Sequence, residues 1–494
     1  MIAALGSGGD QIAGSEIARY AGTSALLALA VGVITATVGT VTAWLTVIHD
    51  FPGRRIFTWA LVLPLAVPAF ALAYAYGDMF DVAGALRTGL RAHWGVDLPI
   101  AMRSVPGAAF VLGMAFYPYV YLAMRAAFLN QSVDLIDAGR MLGASRWRIV
   151  RAVALPAARP ALAAGVALAV METLAEYGAL QFLSVQTLTT GIVRTWSVFG
   201  STAGAARLAL PLLAAAALLL WIERAGRRGS VQEGGRGRMR PIPVAALNGW
   251  RAAAATATCL LPVIAGLLLP VAWLLTLTLA QTPDWTRLIA AAGRTLSLGM
   301  AGAVLTVMLA TALAIGARKM PYAVRLASLG YATPGAVMAI GLLVPAGMVW
   351  RGTGISSGVA VGVGLLLFAY AARLMAAALE PIEAGLARIA PSTRDGARLL
   401  GRSEMRTAWD VDLPIARGAI LTAGLFVFID IVKELPATLI LRPFDFDTLA
   451  VIASNYALDE RLGQAGLPSI LILLLAIGPV LVLSRRIATS RPGT

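Results

Sequence analysis

The sequence has few of the side chains on which soluble proteins and most enzymes depend. Only 13% of its 494 residues are charged, and it contains one cysteine and two histidines. Soluble domains are about one-quarter charged, so this composition excludes a soluble globular protein. The lone Cys259 excludes an intrachain disulfide. His49 and His93 lie far apart in the chain, so no His/Cys metal cluster is indicated.

Motifs for nucleotide binding and for hydrolysis are also missing. The sequence contains no G-x-x-x-x-G-K-[ST] phosphate loop, so any ATP with its Mg²⁺ must bind to another subunit. It has no H-E-x-x-H motif, and neither histidine lies beside a residue that suggests a Ser/His/Asp or cysteine-based site. We therefore expect that the chain is not an enzyme and binds no cofactor itself.

Long apolar runs take the place of these features. Hydrophobic residues make up 59% of the chain, and the mean hydropathy is +0.79. About 20 apolar residues cross a bilayer as a helix, and runs of this length exclude a barrel of short alternating strands. We predict an all-α, polytopic membrane protein. Its eleven spans are expected near 22–48, 57–77, 105–128, 157–177, 203–222, 252–280, 295–316, 326–348, 355–379, 415–432 and 465–484.

The net charge of +15 reflects arginines that cluster in alternate loops. Basic residues follow the first, third, fifth, seventh, ninth and last predicted spans, whereas the intervening loops carry few. Because basic loops stay on the cytoplasmic side, this pattern indicates membrane topology and not nucleic-acid binding. Residues 1–20, which do not resemble a cleavable signal, are then outside, and 225–240 form a cytoplasmic linker.

The chain also contains an internal repeat. Residues 137–159 and 395–417 are identical at eleven of 23 positions, at a constant offset of 258. We infer two homologous halves, 1–224 and 251–494, joined by the basic linker 225–250. The second half has an extra leading span, 252–280, and Thr23 aligns with Thr295 at the start of the next one. Either the first half lost its leading helix or the reading frame begins further upstream.

Each repeated segment is predicted to form two short helices that meet at a glycine, Gly143 or Gly401. The second helix is expected to stop at a Leu-Pro pair, where proline can begin the next span. Glycine permits a left-handed turn at the break. Such a helix pair on the cytoplasmic face could be bound by another protein. The alternative is a helix pair that lies on the lipid headgroups.

The repeated segment resembles the EAA loop of ATP-binding-cassette importer permeases, with its acidic-Ala-Ala, glycine and Leu-Pro at fixed spacing. Relative to the family's pattern, both copies have Asp in place of Glu and one Gly in place of Ala. The resemblance implies docking into a homodimeric ATPase, two copies per complex. The matching positions are Asp137, Ala138, Gly139, Gly143, Leu155 and Pro156, and Asp395, Gly396, Ala397, Gly401, Leu413 and Pro414.

The presence of two fused halves in one chain limits the resemblance to a smaller group of importer permeases. The segments Glu172–Trp196 and Lys433–Ala450 are similar to the ferric-iron (FbpB-like) permeases, which implies the type I importer fold, a bacterial inner-membrane location and a periplasmic or extracellular substrate-binding protein. Related two-half permeases move thiamine or aminoethylphosphonate, so other small solutes stay open. An ion-coupled secondary transporter is a further alternative, in which intramembrane acids would be proton or sodium sites.

Four acids occupy corresponding places after the two repeated loops. Glu172 and Glu176 lie on one helix face, and Asp430 and Glu434 match them at offset 258. With Tyr177 they are candidates for an acidic pathway, because oxygen ligands suit hard cations. A transient Fe³⁺ contact is expected at Glu176 and Glu434, and no permanent metal site.

The alternative is that these acids lie at helix ends in interfacial water or pair with Lys433, Arg194 or Arg442. The nearby run 442–447 is expected on the outer side. It is either a contact for the binding protein or a solvated loop.

The distribution of arginine makes topology testable. In a Cys259→Ala background, Ser7→Cys should react with an impermeant maleimide in intact cells, and Ser230→Cys should react only after the cells are opened. The reverse pattern would overturn the predicted topology.

Overall fold

The computed structural model describes residues 14–97, 100–129, 141, 148, 150–228, 244–316, 327, 330, 333–353 and 358–489. Regular structure in these ranges is almost entirely helical, which confirms the all-α prediction. The helices of the first half are Gly14–Ile48, Arg54–Ala60, Ala69–Met79, Ala85–Trp94, Val105–Leu129, Leu155–Ala175, Gly178–Phe182, Leu188–Ser197 and Thr202–Arg228. Those of the second are Trp250–Val263, Leu269–Leu279, Trp285–Gly316, Gly335–Thr353, Val359–Ala387, Pro391–Leu399, Glu404–Thr407, Leu413–Val432, Pro436–Leu441, Leu449–Leu458 and Leu462–Thr489.

Nine of the predicted spans correspond to helices that, within the described residues, are long and apolar enough to cross a membrane. The predicted span 57–77 differs: it is two segments, Arg54–Ala66 and Ala69–Met79, bent by 89°. Pro68 lies at the bend with an extended backbone, because proline removes a helical donor and restricts the residue before it. The predicted span 326–348 corresponds to the shorter helix Gly335–Thr353, and most of 326–332 lies outside the described residues.

Glycine lets the apolar helices pack closely, and several threonines satisfy their hydroxyls within their own helix. The Thr42 and Thr46 hydroxyls donate to the carbonyls four residues earlier, at 2.7 and 2.9 Å. A Cβ on Gly39 would lie 2.6 Å from Cβ of Val120, so the first helix and Val105–Leu129 approach there almost backbone to backbone. Small residues at such crossings are typical of membrane helix pairs.

Within the described residues, a π-turn precedes a Leu-Pro pair at three places. The turns are Val150–Ala154, Ile264–Leu268 and Ala408–Asp412, and the prolines are Pro156, Pro270 and Pro414. The wider turn makes room for a ring that would clash with the carbonyl four residues earlier. The prediction that the loop helix stops at Leu413-Pro414 is therefore wrong, because the helix continues through the π-turn into the span.

The two halves are joined at several points. The Tyr76 hydroxyl donates to the Ala265 carbonyl at 2.6 Å, and the Trp273 indole donates to the Asp78 carboxylate at 2.8 Å. Strand His49–Asp50 pairs in parallel with Ala245–Ala246, which ties the end of the linker to the first half.

The structure also refines how the halves align. Thr295 Oγ1 accepts a hydrogen bond from Leu449 N at 2.9 Å, and Ser24 Oγ accepts one from Leu188 N at the same distance. The counterpart of Thr295 is thus Ser24, and the predicted pairing with Thr23 is wrong by one residue. The sequence around 22–24 could not settle this, because several small residues lie together there.

The close approach at Gly39 has a measurable consequence. Gly39→Ala should lower the free energy of unfolding by about 1–3 kcal/mol, because the added methyl must displace a neighbouring backbone. Thermal unfolding in detergent measures the change. Gly22→Ala in the same helix, where no atom lies within 4 Å of an added Cβ, is the matched control. Equal stability of the two variants would contradict the packing described.

Candidate translocation pathway and docking loop

A cavity of about 60 Å³ lies between the two halves. This is room for a few water molecules or a partly hydrated ion. Its wall contains the four predicted acids together with two cations. These six residues are Glu172, Glu176, Asp430, Glu434, Arg373 and Lys433.

Chain geometry brings the two glutamates to equivalent places. The Leu155–Ala175 helix rises about 30 Å at 1.5 Å per residue and ends directly before Glu176. The Glu176 Oε1 atom then accepts a hydrogen bond from Ala179 N at 3.0 Å, at the start of the short helix Gly178–Phe182. A carboxylate is favoured there because the helix N-terminus carries partial positive charge.

Glu434 has the same position in the second half with more partners. Its Oε1 accepts from Ala437 N and its Oε2 from Thr438 N, both at 2.9 Å. The Thr438 hydroxyl, which lies 2.6 Å from Glu434 Oε2, is itself 2.6 Å from the Tyr370 hydroxyl. The Glu434 carboxylate is therefore fixed within a buried polar network.

Two cations pair with the acids of the second half. Lys433 Nζ lies 3.0 Å from Asp430 Oδ1, as the alternative interpretation expected. Arg373 Nη1 lies 3.4 Å from Glu434 Oε1. With all six groups ionised, four carboxylates and two cations give the wall a formal charge of −2. The structure thus brings the four predicted acids to one cavity and pairs two of them with cations; that the cavity is a pathway stays a prediction.

Three other predicted neighbours of the acids lie elsewhere. The Arg194 guanidinium lies over the Phe199 ring, 5.8 Å from its centroid, and Arg442 pairs with Asp447. Tyr177 is buried in the hydrophobic core and does not line the cavity.

Sequence reasoning missed Arg373. It lies 61 residues before Glu434, inside the apolar helix Val359–Ala387. An arginine in a membrane span is costly and normally faces a partner or cavity, and this signal alone would have marked it. No group of three or more His, Cys, Asp or Glu residues within the described ranges is arranged to hold a metal ion.

The second EAA-like loop is described in full. Pro391–Leu399 and Glu404–Thr407 are the two predicted short helices, and Gly401 between them has φ of 79°. This left-handed backbone confirms the predicted conformation of the glycine. In the first copy, Asp137, Ala138, Gly139 and Gly143 lie outside the described residues, whereas Leu155 and Pro156 begin the Leu155–Ala175 helix.

A buried ion pair braces this loop to its span. Arg394 Nε lies 2.8 Å from Asp412 Oδ1, and Arg394 Nη2 donates to the Leu386 carbonyl at 2.9 Å. The Asp412 side chain is fully buried. The loop helices, the preceding span and the following span are thereby linked at one point.

The loop also exposes large apolar side chains. Leu399, Leu400, Met405 and Trp409 are 88, 85, 69 and 65% exposed. Met141, which corresponds to Leu399 at offset 258, is equally exposed. Apolar residues exposed together commonly indicate a contact with another protein or with the membrane, and amphipathic spacing in the loop was the signal available from sequence.

The run 442–447 is held in a defined conformation. Asp447 pairs with Arg442 and, at 3.2 Å, with Arg287, and the Arg294 guanidinium donates to the Asp445 carbonyl at 2.8 Å. The Phe444 ring between them is almost fully exposed. Whether the binding protein contacts this run stays a prediction.

Comparison with known proteins agrees with this arrangement. Residues 28–228 match the model of the family described as "Binding-protein-dependent transport system inner membrane component". The ModB molybdenum transport permease of Escherichia coli K12 is 30% identical over 200 residues, which cover 37% of this chain and 86% of ModB. The chain belongs to this permease family.

Other relatives match further parts of the chain, and their names give different cargoes. The Fe(3+)-transport system permease FbpB 2 of Haemophilus influenzae is 24% identical over 481 residues, 95% of this permease and 90% of that protein. The sulfate permease CysW of Escherichia coli K12 is 32% identical over 160 residues, 32% of this permease and 53% of CysW. The match to FbpB 2 agrees with the predicted fused, two-half architecture.

Membership defines the role at a coarse level. The chain is a multi-pass, inner-membrane permease component of a binding-protein-dependent ABC transporter, and the family implies a substrate-binding protein and an ATPase as partners. Its relatives are permease subunits, in agreement with the expectation that it is not an enzyme.

The exposed apolar loop residues can be tested for docking. Trp409→Ala and Leu399→Ala should each lower recovery of the ATPase with the detergent-extracted permease at least about fivefold, since a few well-packed anchor residues carry most of the energy of an interface. Trp94→Ala removes a side chain that is 76% exposed outside the loop and is the control. Undiminished recovery with both loop variants would contradict docking at this surface.

Proposed function

We propose that this permease carries ferric iron across the inner membrane. The observation that carries the proposal is the convergence of four carboxylates, two from each half, on one small cavity. Carboxylate oxygens suit a hard cation, and the relative that matches 95% of the chain is a Fe(3+) permease. Iron in this proposal is cargo and not a resident cofactor, with transient contacts at Glu176 and Glu434.

The partners in this proposal are a homodimeric ATPase on the cytoplasmic side and a substrate-binding protein outside. ATP and Mg²⁺ bind the ATPase, and the repeated loops carry its closure to the spans that end at the cavity. The second loop is suited to this role because the Arg394–Asp412 pair joins it to those spans. The cavity then opens alternately to either side, as the two halves move about their mutual interface.

The docking positions proposed in the loops are those of the EAA-like pattern. Gly401 carries the turn between the two loop helices, and Leu413 and Pro414 begin the following span. Asp395, Gly396 and Ala397 lie in the first loop helix. Asp137, Ala138, Gly139, Gly143, Leu155 and Pro156 are the equivalent positions of the first copy.

An oxyanion is the second candidate cargo. Arg373 and Lys433 line the same cavity, and guanidinium and ammonium groups bind oxyanions well. The molybdate and sulfate permeases are relatives over about a third of the chain. The two candidates differ in sign of charge, so the same residues distinguish them.

Uptake by whole cells decides between the candidates. Cells that express the permease with its ATPase and binding protein should accumulate ⁵⁵Fe, and Glu172→Gln/Glu176→Gln should lower that uptake at least about fivefold because the pathway loses charge that attracts a cation. Glutamine keeps the size and an acceptor for Ala179 N. Glu16→Gln, an exposed acid at the start of the first helix, is the control.

Two outcomes would contradict the proposal. If ⁹⁹Mo-molybdate or ³⁵S-sulfate enters these cells and ⁵⁵Fe does not, the cargo is an oxyanion. Wild-type iron uptake in the double glutamine variant, at equal membrane level, would remove these two carboxylates from the pathway.

A further inference from the structure

The wall of the cavity shows which charges the two halves share. Five pairs of lining residues are related by the offset of 258 that relates the repeated loops. They are Ala115 and Arg373, Phe116 and Leu374, Glu172 and Asp430, Ala175 and Lys433, and Glu176 and Glu434. Both members of each pair line the cavity, so the repeat is preserved in space as well as in sequence.

The carboxylates of the cavity occur at equivalent positions in both halves, whereas the cations occur in one half. Each half contributes two carboxylates, whereas alanine stands in the first half where Arg373 and Lys433 stand in the second. Lys433 is one of only two lysines in the chain. The positive charge of the cavity therefore comes entirely from one half.

Each of the two cations pairs with an acid of its own half. Lys433 lies within one helical turn of Asp430, and both side chains are largely buried. Arg373 and Glu434 are more deeply buried still, at 14 and 2% exposure. Ion pairs that lie away from solvent are screened little by salt, so each cation weakens the attraction of its partner for any cation in the cavity.

The backbone makes room for one of these pairs. A Cβ on Gly335 would lie 2.6 Å from Glu434 Oε1 and 3.4 Å from Arg373 Nη1. The corresponding helix in the first half, which also follows a proline, begins with Ala69. At this position the second half has glycine, beside the charged pair, and the first half has alanine.

We propose that Arg373 and Lys433 are specificity-determining residues that act as built-in counter-ions of the pathway. They keep four converging carboxylates from retaining a multivalent cation, because a conducting site must release what it binds. This inference rests on the cation pathway proposed above. It predicts that the permease without these two charges binds a multivalent cation tightly in the cavity and releases it slowly.

The test uses the purified permease–ATPase complex and Tb³⁺, a hard trivalent probe, in equilibrium dialysis with metal analysis. Arg373→Ala, Lys433→Ala and the double variant each install the residue that the first half has at that position. The double variant should bind about one Tb³⁺ per permease at least about tenfold more tightly than the wild type. Equal affinity of the two proteins would overturn the inference.

Two further variants locate the gained ion. Adding to the double variant Asp430→Asn/Glu434→Gln, which neutralises the acids paired with the two cations, should abolish the gain, and a gain that persists would place the ion elsewhere and overturn the inference. Arg461→Ala removes an exposed cation outside this cavity and should not change Tb³⁺ affinity. Arg373→Lys, which keeps the charge, should behave like the wild type. If Arg373→Ala fails to assemble, Lys433→Ala decides the matter alone.

The Tb³⁺ measurement can be interpreted independently of which cargo the permease carries. A gain in Tb³⁺ affinity without ⁵⁵Fe uptake by the wild type would support the counter-ions and refute iron as cargo. Iron uptake by the wild type without any gain would refute the counter-ions alone. Loss of oxyanion uptake in the double variant, with no gain in Tb³⁺ affinity, would assign the two cations to anion binding and overturn the inference.

Discussion

A carboxylate inside a membrane is stable only where something replaces the water that it has lost, and the centre of this permease follows from that constraint. Glu176 and Glu434 each accept a hydrogen bond from a backbone amide of a short helix that begins just after the span. The span must end there for the amide to be available. The breaks at Ala175 and Val432 are therefore part of how the acids are stabilised.

Because the two halves are copies of one arrangement, their acids meet at a shared cavity. Because the halves have diverged in sequence, the surroundings of these acids are unequal. Two copies of one helix arrangement bring equivalent residues to a shared cavity from opposite sides. Only the second copy has Arg373 and Lys433, which a pair of separate identical subunits could not achieve. Fusion into one chain allows the two walls of the pathway to carry different charge.

The internal repeat is sufficient to predict much of this arrangement. The offset of 258 relates the loops to each other and identifies Glu172, Glu176, Asp430 and Glu434 from the sequence alone. It could not show Arg373, because that residue breaks the repeat and meets Glu434 only through packing of separate spans. Hydropathy likewise could not distinguish a straight span from the segments bent at Pro68, since both are equally apolar.

Helix continuity links the docking loop to the pathway. Glu404 to Val432 is one continuous helical segment, with the π-turn 408–412 inside it. In the mechanism proposed above, a displacement of the loop is applied to the base of the helix that carries Asp430 near its far end and is followed directly by Lys433 and Glu434. The Arg394–Asp412 pair resists bending at the π-turn, because separating a buried charge from its partner costs about 3–5 kcal/mol. The ion pair therefore stiffens the helix at the place where proline weakens its hydrogen bonding, which is the property that the mechanism proposed above requires of a helix between loop and cavity.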